Sequence, residues 1–238
     1  MFRPHQIKRF IAKVKDIRDC TNDVREFDIS VPQEFAFTPG QFLTIFFERE
    51  GQKYRRQYSI KSSPSQKGVL TILVKYVNQG PGSTYLWSKQ KGDELDIMAP
   101  LGVFVIKDEQ KHNPLVFFST GTGVAPFYSM IAALLVSGHT HPITLITGYR
   151  HEILCHAEFM ELTKKYPNFT YIPTLTKPQD PNYSGNRGRI QQLIPQYVKP
   201  DEETHFFICG LYEMISQTCR ILKDMKIPTK NIHFERYD

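Results

Sequence analysis

The sequence predicts two domains: an antiparallel β barrel or sandwich, then a doubly wound α/β sheet of five parallel strands. Three observations carry this. Up to about residue 110, short alternating or aromatic-rich runs are separated by turn formers, with one short helix among them. Beyond it, apolar strand-like runs alternate with helical segments. At the first junction of this second half, the apolar run Pro114–Phe118 enters Ser119-Thr120-Gly121-Thr122-Gly123-Val124-Ala125-Pro126 and a further apolar run, Phe127 to Val136.

The expected strands of the first half are Arg9–Lys15, Val24–Val31, Gln41–Phe47, Tyr54–Ile60, Val69–Val77 and Glu94–Met98. Pro39-Gly40, Glu50-Gly51, Ser62-Ser63-Pro64 and Lys91-Gly92-Asp93 separate them as turns. The short helix is expected at Thr84–Gln90. In the second half the strands are Leu115–Ser119, Ile143–Gly148, Thr170–Thr174, His205–Cys209 and Ile232–Phe234, with helices near Phe127–Ser137, Ala157–Tyr166, Arg189–Tyr197 and Leu211–Met225. Crossovers of that length imply parallel pairing with helices on both faces. The polar stretch Lys107–Asn113 marks the join, giving expected domains 1–110 and 111–238.

Composition narrows the function. At 238 residues, with 40% hydrophobic and 23% charged side chains, the chain reads as an ordinary globular protein. No apolar run reaches membrane-spanning length, and the start, Met1-Phe2-Arg3-Pro4-His5, lacks an apolar signal stretch. The four cysteines, Cys20, Cys155, Cys209 and Cys219, lie far apart without a C-x-x-C, so no metal or iron–sulfur site is expected and a cytoplasmic location is. A net charge of +6 favours an acidic partner or anionic ligand. Basic residues are scattered, so nucleic acid is not an expected partner.

The Gly121–Pro126 junction has the chemistry of a phosphate cradle. Glycines let the backbone approach an anion, the first helical N–H groups point at it, and Pro126 suits a first turn that needs no donor. No Gly-Lys-Ser/Thr follows, so it is not a Walker loop. In the first half, alternation along Tyr54-Arg55-Arg56-Gln57-Tyr58-Ser59 puts Arg56 and Tyr58 on one face, Gln57 and Ser59 on the other. A cation beside an aromatic ring, with a hydroxyl adjacent in sequence, is the equipment for a planar phosphorylated ligand. A surface arginine and a half-buried tyrosine are the plainer reading. Gly80-Pro81-Gly82-Ser83-Thr84 offers a second helix start, with Ser83 or Thr84 as anion donor or simple N-cap.

Together these motifs resemble the ferredoxin–NADP reductase family. Arg56-Gln57-Tyr58-Ser59 is similar to its R-x-Y-S flavin motif, Gly121–Pro126 to its pyridine-nucleotide loop, and Cys209-Gly210 to its Cys-Gly signature. Asp96–Phe104 is similar to the G-P-x-G-x-F stretch that closes its barrel, with Ala99 replacing the glycine. The motifs follow the family order and span nearly the whole chain.

The resemblance implies a six-stranded flavin-binding barrel followed by a nucleotide-binding α/β domain, with FAD as cofactor (FMN remaining open) and NADP(H) as second cofactor (NAD(H) remaining open). It implies that Tyr58 stacks on the flavin, Arg56 pairs with its phosphate, Gln57 lies within the motif, and Ser59 bonds near the redox-active nitrogen. Gly82, Ser83 and Thr84 would hold the flavin phosphate, and the backbone of Val74, Lys75 and Tyr76 would line the flavin. Thr122, Gly123 and Pro126 would contact the nucleotide pyrophosphate, and Cys209 with Gly210 would sit where nicotinamide meets flavin. The ending Phe234-Glu235-Arg236-Tyr237-Asp238 resembles the family's Glu-x-Tyr, with Asp238 beyond it. It implies a flavin-covering Tyr237 and a Glu235 that handles protons or substrate. Arg150, Lys177 and Arg189 would hold a 2′-phosphate where bacterial NADP-using relatives place three arginines. Ser59, Cys209 and Glu235 are thus the candidate catalytic residues.

The implied activity is electron transfer between NADP(H) and a one-electron carrier, an acidic ferredoxin or flavodoxin, by a monomer without membrane insertion. The reductase component of an oxygenase or other multicomponent system, and a free-flavin reductase, are the enzymatic alternatives. A non-catalytic flavin-binding subunit is the alternative of another class.

Overall fold

The computed structural model of the chain describes residues 5–199 and 201–238; the Met1–Pro4 part of the start read above lies outside them. Contacts divide the chain into two compact units. One runs to Ile106 and takes in Ala125–Ala133; the other comprises Lys107–Val124 and Leu134–Asp238.

The first unit is built on β1 (Lys8–Thr21), β2 (Val24–Ser30), β3 (Phe42–Arg49), β4 (Gln52–Ser59), β5 (Val69–Lys75) and β6 (Glu94–Leu101). They form one antiparallel sheet in the order β4-β3-β6-β1-β2-β5. A bridge from Ile60 to Ile72 and the Lys61 N–H to Thr71 C=O bond (2.7 Å) join the end of β4 to β5 and curl the sheet. Period-two alternation turns Leu43, Ile45 and Phe47 of β3 inward to meet Phe27, Ile29, Ile72 and Ile97. Helix α1 (Pro81–Trp87) starts three residues before the expected Thr84, because Gly80 takes the cap and Pro81 the first helical position.

The second unit carries β7 (Leu115–Thr120), β8 (Ile143–Tyr149), β9 (Phe169–Leu175), β10 (Asn186–Arg187), β11 (His205–Gly210) and β12 (Ile232–Arg236). All pair parallel in the order β10-β9-β8-β7-β11-β12. The five expected strands are present. The sixth, β10, is only two polar residues long and has no apolar period to reveal it; the Thr174 hydroxyl faces the Asn186 and Gly188 carbonyls (3.1 and 2.9 Å) instead.

Helices α2 (Val124–Val136), α3 (His156–Lys165), α4 (Ile194–Tyr197) and α5 (Tyr212–Asp224) follow β7, β8, β10 and β11. The helix expected over Arg189–Tyr197 divides into a 3₁₀ turn, Ile190–Gln192, and the single turn of α4, since Pro195 brings no N–H where a continuous helix needs one. Val116, Phe118, Phe206 and Ile208 pack one sheet face against Ile190, Ile194, Met214, Ile215 and Leu222. On the opposite face Phe117 and Phe207, directly paired in register, stack at 5.5 Å. No described helix is long and apolar enough to cross a membrane.

The join contains a charge-sensitive contact. Asp108–His112 forms a 3₁₀ turn. The Lys107 N–H donates to Gln110 Oε1 (2.8 Å), which fixes the amide so that its NH₂ faces His233 Nε2 (3.0 Å). His233 Nε2 must then be a lone pair and the ring neutral. His205 Nδ1 lies 3.3 Å away. Burial pulls His233 down to about 4, aided by His205 and Lys107; burial also lowers His205, opposed by Glu109 and aided by Lys230.

In the unfolded chain histidine titrates near 6.5. Between about pH 4 and 6.5 the unfolded state therefore binds more protons than the folded one, and stability is lost as pH falls through that window. Thermal midpoints compared at pH 7 and pH 5 should drop further in the parent than in His233→Gln. Parallel drops would remove His233 from the account.

Candidate functional site

The first unit gathers most of its predicted residues at the ends of β4 and β5 and the start of α1. Arg56 and Tyr58 do share a face: a Cβ added to Gly82 would stand 2.6 Å from Arg56 Cγ and 3.0 Å from Tyr58 Oη. Only a residue without a side chain lets the first turn of α1 approach β4 this closely. Tyr58 is half-buried against the barrel core, and burial pushes its hydroxyl up to about 12 against the lowering pull of Arg56. The ring is thus a neutral platform at any working pH.

The Arg56 guanidinium is exposed, bonds the Arg55 carbonyl (2.8 Å), and has no acidic partner among the described residues. Ser59, next to Tyr58 in sequence, is buried, whereas Gln57 is exposed. A cation without a carboxylate, beside a neutral ring and a helix start, fits a flavin and its phosphate.

The Ser83 hydroxyl is committed to its own loop, bonding the Val77 N–H and facing the Val77 and Gly80 carbonyls (3.0, 3.0 and 3.2 Å). The Thr84 N–H is taken by the Gly80 carbonyl (3.0 Å). Gly82 and Ser83 therefore carry the first-turn N–H groups, and Thr84 brings its hydroxyl. Val74 is buried at the end of β5, Lys75 is exposed and pairs with Asp23 (3.3 Å), and Tyr76, just outside the strand, leans on Trp87 at 5.4 Å.

Sequence reading missed Lys61, two residues past Ser59. Its side chain is buried and paired with the buried Glu26, which also takes Arg18. A lone lysine in sequence looks like a solvated charge, so no signal pointed to it.

In the second unit the loop lies where the strand order reverses. β7 sits between β8 and β11, so the chain steps to one side and later returns to the other. A crevice opens at the carboxyl ends of strands at such a point. Gly121–Gly123 makes one 3₁₀ turn there and runs into α2, with Pro126 in its first turn and Thr122 partly exposed. A Cβ on Gly123 would lie 2.5 Å from the Cys209 carbonyl oxygen. The loop is thus pressed onto the end of β11, at Cys209-Gly210.

Cys209 itself is fully buried. Burial pushes its thiol well up, the charge of Glu235 adds to the rise, and a hydrogen bond from Tyr237 opposes it. The thiol is neutral and no nucleophile. Glu235 stands opposite Cys209 in the β11–β12 register.

The chain beyond β12 is tied down. The Tyr237 N–H donates to the Gly210 carbonyl (3.0 Å), and the Asp238 carboxylate accepts from the Tyr212 N–H (3.0 Å) and Arg236 Nε (2.9 Å). Desolvation would raise the Asp238 carboxyl, but these two donors hold it below the usual carboxylate range.

The basic trio lies along the carboxyl ends of the same sheet. Arg150 and Lys177 are exposed and have no ion-pair partner among the described residues, while Arg189 pairs with Glu213 (3.4 Å).

Family models match both parts. Residues 11–106 match the oxidoreductase FAD-binding domain and residues 117–220 the oxidoreductase NAD-binding domain. Ferredoxin–NADP reductase B of Sorangium cellulosum is 32% identical, covering 98% of this chain and 99% of that protein. The chain belongs to the ferredoxin–NADP reductase family. It is a flavin-dependent oxidoreductase with an FAD-binding domain and a pyridine-nucleotide-binding domain. Another relative within reach is the phenol hydroxylase P5 protein of Acinetobacter pittii, 30% identical over 99% of this chain and 67% of its own length. A ferredoxin–NADP⁺ reductase from Neisseria gonorrhoeae, solved with bound FAD and NADP, shares the fold at a TM-score of 0.84 and 24% identity, covering 97% of this chain and 99% of that one.

Proposed function

We propose that this family member carries electrons between NADP(H) and an acidic one-electron carrier, a ferredoxin or flavodoxin, through bound FAD. The observation that carries the reading is the end-to-end match, 98% of one chain on 99% of the other, to a ferredoxin–NADP reductase. A bound flavin supplies the conversion between a two-electron hydride and single electrons. In the barrel, Tyr58 provides the stacking face, Arg56 the planar charged fork for the phosphate, Gly82 and Ser83 their N–H groups, Thr84 its hydroxyl, and Ser59 a donor towards the ring. The backbone of Val74, Lys75 and Tyr76 lines the flavin, and Gln57 completes the strand between Arg56 and Tyr58. In the α/β unit, Thr122, Gly123 and Pro126 receive the pyrophosphate, and Cys209-Gly210 bounds the nicotinamide end.

The buried, neutral Cys209 acts there by shape, not by acid–base chemistry. Tyr237 covers that end from the β12 side, and Glu235 beside it handles a proton. A net charge of +6 steers an acidic carrier towards the protein. The same reading places the protein in the cytoplasm as a monomer, which light scattering checks directly. Anaerobic reduction by NADPH, followed by a panel of ferredoxin, flavodoxin and free flavin at limiting concentration, tests the whole. Fastest turnover with free flavin would replace the carrier assignment.

Arg150, Lys177 and Arg189 form the 2′-phosphate subsite. Hydrogen bonds to charged groups are worth about 1.5–3 kcal/mol. Arg150→Ala should therefore raise KM for NADPH by roughly ten- to a hundredfold more than KM for NADH. Equal rises with both nucleotides would take the 2′-phosphate out of this corner of the sheet.

A further inference from the structure

Arg150 and Lys177 lie on separate turns, one after β8 and one after β9. Two backbone bonds carry the parallel ladder past the strand ends: the Thr176 N–H to the Tyr149 carbonyl (3.0 Å) and the Lys177 N–H to the Arg150 carbonyl (2.7 Å). Two side chains add to them, the first being the Thr176 hydroxyl, which donates to the same Tyr149 carbonyl (3.3 Å). His151 Nδ1 lies 2.8 Å from the Lys177 carbonyl oxygen. A carbonyl only accepts, so Nδ1 carries the proton and donates. Residue 177 is thus gripped on both sides, its N–H by Arg150 and its C=O by His151.

Among the described residues, His151 is the one side chain bonded to residue 177. Neither Arg150 nor Lys177 has an ion pair among the described residues, and residues 176–185 contain no strand or helix. A dianionic phosphate held by two side chains gains from each only when both start from the right place.

We propose that His151 is a positioning residue for nucleotide choice: it braces the Arg150 and Lys177 turns at the spacing a 2′-phosphate requires. The proposal rests on assigning the 2′-phosphate to Arg150 and Lys177, and its test separates the two ideas. The FAD-loaded full chain is titrated calorimetrically with 2′,5′-ADP, which carries the phosphate, and with 5′-AMP, which lacks it.

Loss of one such hydrogen bond is worth about 1 kcal/mol, so His151→Ala should weaken 2′,5′-ADP about fivefold more than 5′-AMP. His151→Asn, whose amide N–H₂ can donate from nearly the same place, should restore the parental value. His151 is exposed, so neither change threatens folding, and retained 5′-AMP binding reports an intact site. Arg150→Ala serves as the reference. If it weakens both ligands equally, the 2′-phosphate assignment fails and the brace with it. If Arg150→Ala is selective but His151→Ala leaves 2′,5′-ADP at parental affinity, or His151→Asn restores nothing, the brace alone is wrong.

Discussion

Gly123→Ala should leave the flavin bound and slow its reduction by NADPH on the order of a hundredfold. The added methyl would stand 2.5 Å from the Cys209 carbonyl oxygen and 2.9 Å from its carbon. Both atoms are backbone within β11, which is hydrogen-bonded to β7 on one side and β12 on the other. No side chain can swing away to relieve the clash, so the loop itself must lift off the strand end.

Inserting a methyl into such a contact costs about 1–3 kcal/mol, which a folded domain survives. Displacing the Thr122 and Gly123 N–H groups by about 1 Å is the larger functional loss, because misplacement on that scale costs about a hundredfold in rate. Gly123 and Cys209 both belong to the second unit, and none of the barrel residues assigned to the flavin is changed, so flavin absorbance should match the parent. Stopped-flow reduction under anaerobic conditions gives the answer. Reduction at the parental rate would mean that the Gly121–Gly123 turn does not receive the nucleotide.

Much of this architecture is legible in the sequence, and the parts that are not share a physical reason. Strands whose residues are buried on both faces, such as Leu115-Val116-Phe117-Phe118, announce themselves as continuous apolar runs. The Arg56/Tyr58 face follows from strand alternation alone, and the structure bears the pairing out at Gly82.

What stayed hidden depends on tertiary partners. β10 is two polar residues, and the Thr174 hydroxyl meets the carbonyls of Asn186 within it and Gly188 just beyond it, so no local pattern encodes it. The Lys61–Glu26 pair joins residues far apart in sequence, and each alone looks solvated. The place of Cys209 at the end of β11 follows from its motif, but the influence of Glu235 and Tyr237 on its thiol depends on β12 pairing beside it. His151 could have been noticed as the neighbour of Arg150; its bond to the Lys177 carbonyl could not.

Tyr58→Ala should release the flavin, while Tyr58→Phe should keep it. The ring is held from two sides, by the barrel core beneath and by the first turn of α1 at its hydroxyl end. Removing it leaves a gap where a planar ligand would otherwise find a flat apolar face. An aromatic pair contributes about 0.5–1.5 kcal/mol beyond area burial, and losing the buried ring area adds more. Together these correspond to a flavin dissociation constant roughly ten- to a hundredfold higher.

Part of the effect could come from the core, since Tyr58 also packs inward, and the phenylalanine variant separates the two causes. It keeps the ring and its packing and loses only a hydroxyl that burial already holds neutral. Flavin fluorescence titration of the three proteins, with a thermal melt of each apoprotein, resolves the matter. A Tyr58→Ala protein that melts lower but binds flavin at parental affinity would confine Tyr58 to the core and remove it from the cofactor site.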